Sequence, residues 1–160
     1  MLNIHIICIG KLKEKYLCEA VSEYQKRLTT LCKLTIVQLP AVSLSDNPKE
    51  SEIEAAIEAE GKRIAEKIPS SAFVFSLCIE GKELSSPQLS QKISELKTRG
   101  NSTLVFIIGG SYGLSRAVKE RSDFRLSMSP MTFPHQLARV MLLEQIYRAL
   151  QIEAGTKYHK

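Results

Sequence analysis

Several absences bound what this 160-residue chain can be. Its four cysteines, Cys8, Cys18, Cys32 and Cys78, include no pair at the short spacing of a zinc knuckle or a redox couple. All four read as reduced and structural, which favours the cytoplasm. No apolar run reaches the ~20 residues that cross a bilayer. The first ten residues lack a basic leader and a small-residue cleavage site, which argues against a signal peptide. No low-complexity tract or internal repeat is visible. There is no tryptophan, which by itself excludes nothing, and no large excess of one charge: the formal net value is +5. A polyanion would be tolerated and loosely attracted, but many enzymes of neutral substrates carry as much.

What is present is enough apolar residue, 44% of the chain, for a real core within one domain spanning 1–160. Leu2 to Ile9 is a short β-branched run closed by Gly10, and it predicts a buried strand. Leu17, Ala20, Val21, Tyr24 and Leu28 recur at helical spacing. Strand character returns from Leu31 to Leu39, and 41–49 is rich in Ser, Asp, Asn and Pro, hence a loop. A helix is predicted from Ser51, with Ser51 and Glu54 at capping-box spacing, a core side of Ile53, Ile57, Ile64 and Ile68, and a stop at Pro69. Ala72–Ile79 predicts a strand. A helix capped by Ser86, with Pro87 first, follows and closes at Gly100. Thr103–Ile108 is the most apolar strand. The alternation predicts an α/β fold: a parallel or mostly parallel sheet with helices on both faces.

Beyond that strand come Gly109-Gly110-Ser111-Tyr112-Gly113 and a short helix from Arg116 to Arg121. Glycines at a strand's carboxyl end let the backbone turn sharply or approach a ligand closely, and both readings stay open. The spacing matches neither the dinucleotide fingerprint nor a phosphate loop. Phe124–Met128 is a candidate fifth strand. A proline-rich stretch then leads at Pro134 into a helix that runs to about Glu153.

At about 100° per residue, the apolar positions of that helix cover an arc of roughly 200°. Such a helix is buried on most of its girth or pairs with another subunit. Arg139 falls inside the apolar arc, where a guanidinium needs a carboxylate, a carbonyl or a ligand. His135 either caps the helix start or faces a pocket. The ending Lys157-Tyr158-His159-Lys160 is either a frayed terminus or a group that holds phosphate and stacks on a base.

Six stretches together closely resemble one family. They are Ser102–Gly113, Met131-Thr132-Phe133-Pro134-His135-Gln136, the helix Arg139–Ala149 and the ending Tyr158-His159-Lys160. To these are added Gly10-Lys11-Leu12-Lys13-Glu14-Lys15-Tyr16, and Gly81-Lys82 followed by Ser85-Ser86. The family is the small SPOUT-class methyltransferases that act on N3 of a pseudouridine in bacterial 23S ribosomal RNA.

The resemblance implies a C-terminal trefoil knot, bound S-adenosylmethionine and a homodimer with two sites near the interface. It implies work on the ribosome in the cytoplasm, with no metal and no membrane involved. Carried over residue by residue, the cofactor contacts fall on Leu77, Gly109, Met128, Ser129, Pro130, Met131, Thr132 and Phe133. For Met128, Ser129 and Pro130 the implied role is that of the backbone. His135, Tyr158 and His159 are candidates to take the proton from the acceptor nitrogen, and Arg139 to stabilise the charge that develops. Lys11, Lys13, Lys15, Lys157 and Lys160 are candidates for phosphate contacts, with solvated surface lysines as the alternative. A SPOUT-like methyltransferase of another RNA target, and a non-catalytic RNA-binding or ribosome-associated module of the same fold, are the competing functions.

Overall fold

The computed structural model describes residues 1–160. Five strands alternate with five helices: β1 (Asn3–Ile9), α1 (Lys15–Leu28), β2 (Lys33–Leu39), α2 (Glu50–Ala65), β3 (Phe73–Glu83), α3 (Ser86–Thr98), β4 (Thr103–Ile108), α4 (Arg116–Arg121), β5 (Phe124–Ser127) and α5 (His135–Glu153). The strands form one sheet in the order β2-β1-β4-β3-β5, and every pairing is parallel. All five carboxyl ends therefore lie along the same edge.

Side-chain alternation along the central strands divides the core in two. Ile4, Ile6 and Cys8 of β1, with Leu104, Phe106 and Ile108 of β4, pack under α1, α3 and α5. Ile7, Ile9, Val105 and Ile107 point the other way, toward α2 and α4. Strands covered on both faces are apolar at nearly every position, which is why β4 reads as an apolar run from Leu104 to Ile108 and β1 as one from Ile4 to Ile9 interrupted only by His5.

Two helix starts differ from the sequence expectation. The second helix begins at Glu50 behind Lys49, with no side-chain cap, so the Ser51–Glu54 spacing is not used. It ends at Ala65, four residues short of Pro69, so Ile68 falls outside it, and of its three isoleucines only Ile64 is buried. Ala56 and Gly61 make the other close contacts. The third helix is capped by Ser85 rather than Ser86. Ser85 accepts from the Gln88 amide at 3.2 Å, and Gln88 accepts from the Ser85 amide at 2.8 Å. That reciprocal box fixes the cap one residue earlier.

The third strand has the one large irregularity. Leu77 and Lys82 both pair with Leu126 of β5, so residues 78–81 leave the ladder and return to it at the same partner. Gly81 touches β5 so closely that a Cβ there would lie 2.7 Å from the Arg125 carbonyl carbon and oxygen. The excursion thus bends around the backbone of β5.

Candidate active site

Three segments at the carboxyl edge of β3, β4 and β5 enclose a cleft of about 680 Å³. One is Leu77 with the first residues of the 78–81 excursion, the second the glycine loop 109–114, and the third Met128, Ser129 and residues 131–135. A volume in the ~300–1,000 Å³ range suits a small organic molecule. Open parallel sheets bind ligands at this edge because the loops there diverge from a common rigid platform.

The glycine loop is built for closeness. A Cβ on Gly109 would lie 2.7 Å from the carbonyl carbon and oxygen of Gly113. Gly110 and Gly113 form an isolated antiparallel bridge, and Gly113 has φ +85°, a left-handed conformation that favours glycine. Ser115 then caps α4 by accepting from the Val118 amide at 3.2 Å. On the opposite wall the Ser129 hydroxyl accepts from the Met131 amide at 3.0 Å, and Ser127 donates to the Ser129 carbonyl. These short-range bonds shape a loop that the sequence could only call irregular.

Two full charges meet in the lining: Lys119 of α4 donates to Glu80 of the excursion. The bond from Lys119 holds the Glu80 carboxyl below its ordinary range. Around them stand exposed apolar side chains, Ile79, Tyr112 and Met131, the last 73% exposed.

His135 opens α5 and lines the cleft. Burial lowers its imidazole pKa, as do the charges of Arg139 and Lys13, and Glu60 opposes them. A neutral ring has a free nitrogen able to accept a proton. One turn on, Arg139 is fully buried and donates from Nη2 to the Gly10 carbonyl at 3.0 Å. Its Nε and Nη1 have no partner.

The tail lies elsewhere. Tyr158 donates to Glu144 at 2.7 Å, and Arg148 donates to the same carboxylate at 2.6 Å. The Arg148 guanidinium also covers the Tyr158 ring at 4.7 Å and meets His159 Nδ1 at 3.3 Å. Tyr147 stacks obliquely on Tyr158, Tyr24 meets Tyr147 edge-on, and Arg27 lies over both Tyr24 and Tyr147. Burial first, then the Glu144 carboxylate, push the Tyr24 phenol up to about 12.

A family profile described as "Predicted SPOUT methyltransferase" matches residues 2–159. The chain belongs to the SPOUT methyltransferase family. It is 50% identical over 159 residues to "Ribosomal RNA large subunit methyltransferase H" of Clostridioides difficile strain 630, covering 99% of this chain and 100% of that one. With the protein of the same name from Clostridium botulinum strain Alaska E43 it shares 52% identity over the same lengths. Among solved structures, a probable methylase family protein from Haemophilus influenzae Rd KW20 aligns with a TM-score of 0.55 at 12% identity, covering 98% of this chain and 70% of that one. That likeness concerns the fold.

In this SPOUT methyltransferase, the sequence-expected contacts Leu77, Gly109, Met128, Ser129, Met131, Thr132 and Phe133 all line one cleft, as does His135. Pro130 is not among the lining residues, and Arg139 is buried in the core. Tyr158 and His159 are not brought to the cleft of their own chain. His135 and Arg148 are thirteen residues apart on one helix, about 20 Å along its axis. The five candidate lysines, Lys11, Lys13, Lys15, Lys157 and Lys160, are all exposed. Sequence reasoning missed Cys78, Ile79, Glu80, Tyr112, Lys119 and Ala138 in the lining. Glu80 and Lys119 stand 39 positions apart, and no periodicity could have joined them. No group of three or more His, Cys, Asp or Glu is placed to hold a metal ion, and no helix is long and apolar enough to cross a membrane.

Proposed function

We propose that this protein transfers the methyl group of S-adenosylmethionine to N3 of a pseudouridine in 23S ribosomal RNA, on the assembled ribosome in the cytoplasm and as a homodimer. The observation that carries this reading is the cleft itself. Its walls include Leu77, Gly109, Met128, Ser129, Met131, Thr132 and Phe133, the positions the resemblance assigns to the cofactor, and His135, with its pKa lowered by burial, lines it as well. The names of the relatives from the two clostridia support the RNA target.

The residues present fit the cofactor. Eleven of the twenty-one lining residues are hydrophobic, which suits the faces of an adenine, and the tight Gly109 turn leaves backbone groups rather than side chains to contact it. Bound there, S-adenosylmethionine would supply a methyl on a cationic sulfur, already a strong electrophile. The chain's own part is alignment and proton removal. Leu77, Met128, Met131 and Phe133 form the apolar slot. His135 takes the proton from the acceptor N3–H, whose electron pair stays on nitrogen. The 78–81 excursion bent around β5 supports a threaded C-terminal segment that holds 128–133 in place.

Tyr158 and His159, held far along α5, reach a cleft only if it belongs to a second copy. The exposed Ile79, Tyr112, Met131 and Leu137 support such a contact. Lys11, Lys13, Lys15, Lys157 and Lys160 supply the charge for phosphates.

The direct test is incubation with labelled S-adenosylmethionine and ribosomes that lack the modification. Label at N3 of one 23S pseudouridine is expected, and no transfer to 23S RNA sinks the reading. Calorimetry separates the non-catalytic alternative, which predicts RNA binding without cofactor binding.

A further inference from the structure

Arg139 is the largest fully buried side chain in the protein, and it is charged. Its single hydrogen bond goes to a backbone carbonyl, no carboxylate comes within ion-pair distance, and two of its nitrogens are unpartnered. Burying a guanidinium this way is costly. A residue that served only to fill the core would be apolar, so the charge has to act on something nearby.

Two bonds tie the loop between β1 and α1 to the start of α5. One runs from Arg139 to the Gly10 carbonyl, and the other from the Lys13 amide to Gln136 Oε1 at 3.3 Å. Gly10 has φ +88°, and a Cβ on it would stand 3.9 Å from His135 Nε2. The loop therefore runs along the edge of the imidazole. It carries Lys11 and Lys13, both exposed, beside the cleft.

We propose that Arg139 is a positioning residue for methyl transfer: it seats the Gly10–Lys13 loop against the start of α5 and holds His135 ready to take the acceptor's proton. The proposal rests on the methyltransferase reading of the cleft. Arg139 itself touches neither substrate nor cofactor. Its charge works through the ring one helical turn away, and the Gly10 bond works through the loop.

The charged groups facing His135 are Arg139 on its own helix, Lys13 on the loop and Glu60 on α2. Removing Arg139 leaves burial and Lys13 still opposing protonation, and Glu60 still favouring it. The imidazole midpoint then moves upward.

The experiment uses Arg139→Met, with Arg139→Gln as a second neutral variant, and Arg139→Lys to restore charge. Proton NMR titration of His135 in the free protein is followed beside the pH profile of kcat on ribosomes. Both neutral variants are expected to raise the His135 midpoint and carry the acid limb of the profile up with it. At neutral pH kcat falls roughly tenfold or more, while S-adenosylmethionine affinity by calorimetry stays within about threefold. Arg139→Lys is expected to keep the wild-type midpoint. The proposal is overturned if a folded neutral variant keeps both midpoint and limb, or if Arg139→Lys moves the midpoint as far as the neutral variants do. Absence of transfer by the wild type would fail the functional reading instead, and the titration, which needs no cofactor, would still report on Arg139.

Discussion

Tyr158 donates its hydroxyl hydrogen to Glu144 across 2.7 Å, and that one bond turns the last residues back along the helix they follow. Arg148 meets the same carboxylate, so a single acidic side chain organises an aromatic, one guanidinium and, through that guanidinium, the His159 ring.

Breaking that anchor should separate RNA chemistry from cofactor binding. For Tyr158→Phe or Glu144→Gln, S-adenosylmethionine affinity is expected to stay at the wild-type value, since neither residue lines the cleft of its own chain. Transfer to ribosomes is expected to fall roughly tenfold, the equilibrium weight of one charge-assisted hydrogen bond. If the sites are shared between copies, mixing His135→Ala protein with His159→Ala protein, each inactive alone, restores transfer in the heterodimer. Recovery no greater than the sum of the two alone would show that each copy works by itself.

Gly109→Ala tests the other half of the site. The added methyl would overlap the Gly113 backbone, which cannot rotate away as a side chain can. Forced overpacking of this kind costs about 1–3 kcal/mol, so calorimetry should find S-adenosylmethionine binding weakened roughly tenfold to hundredfold. Wild-type affinity in a folded Gly109→Ala protein would mean that the loop does not shape the slot.

Gly61→Ala acts at a distance. Its Cβ would come to 2.4 Å from the Ser115 hydroxyl and 3.0 Å from the Ser115 Cβ. Rotating the hydroxyl away gives up its bond to the Val118 amide, the cap of α4. Loss of a cap costs about 1 kcal/mol, which lowers Tm by roughly 2–4 °C in a chain of this size. Scanning calorimetry is the check, and an unchanged Tm would show that the two helices slide apart freely.

Two histidines set a pH dependence of stability. Burial lowers the pKa of both from 6.5, for His135 with Arg139 and Lys13, and for His5 with Lys33. A depressed folded pKa means that the unfolded chain binds more protons near pH 6, so stability is full above about 6.5 and falls as the pH drops through the folded values. Thermal melts between pH 7.5 and 5 should show the decline, and His135→Gln should lessen it. A variant that melts with the full wild-type slope would remove His135 from the account.

Much of this was legible because the central strands are covered on both faces. Burial on both sides demands apolar residues at nearly every position, and Leu104–Ile108 can be nothing else. The proposed cofactor slot was suggested only by the resemblance. The residues from Met128 to Phe133 make sense as a loop once Leu126 is seen pairing with both Leu77 and Lys82, a relation between distant segments that leaves no period behind. Arg139 stood out as a charge in an apolar arc, but its partner, a carbonyl 129 positions away, carries no side-chain signature. The sequence spacing of the Ser51–Glu54 pair misled because propensity for a cap is not a contact. The chain entered α2 one turn's fraction earlier, at Glu50.

The pairing of Asn3 with Thr103 sets a timetable for the molecule. The first strand made has to wait through most of the chain for its neighbour at the centre of the sheet, and the helix that covers that neighbour is the last one made. Sheets closed by such distant partners gain little until late, because the entropy of the long loop is lost before the contacts return it. Refolding is therefore expected to be slow and to pass through states whose apolar strand edges are open. Until α5 docks, His135 has no wall to stand in, and the cleft does not exist.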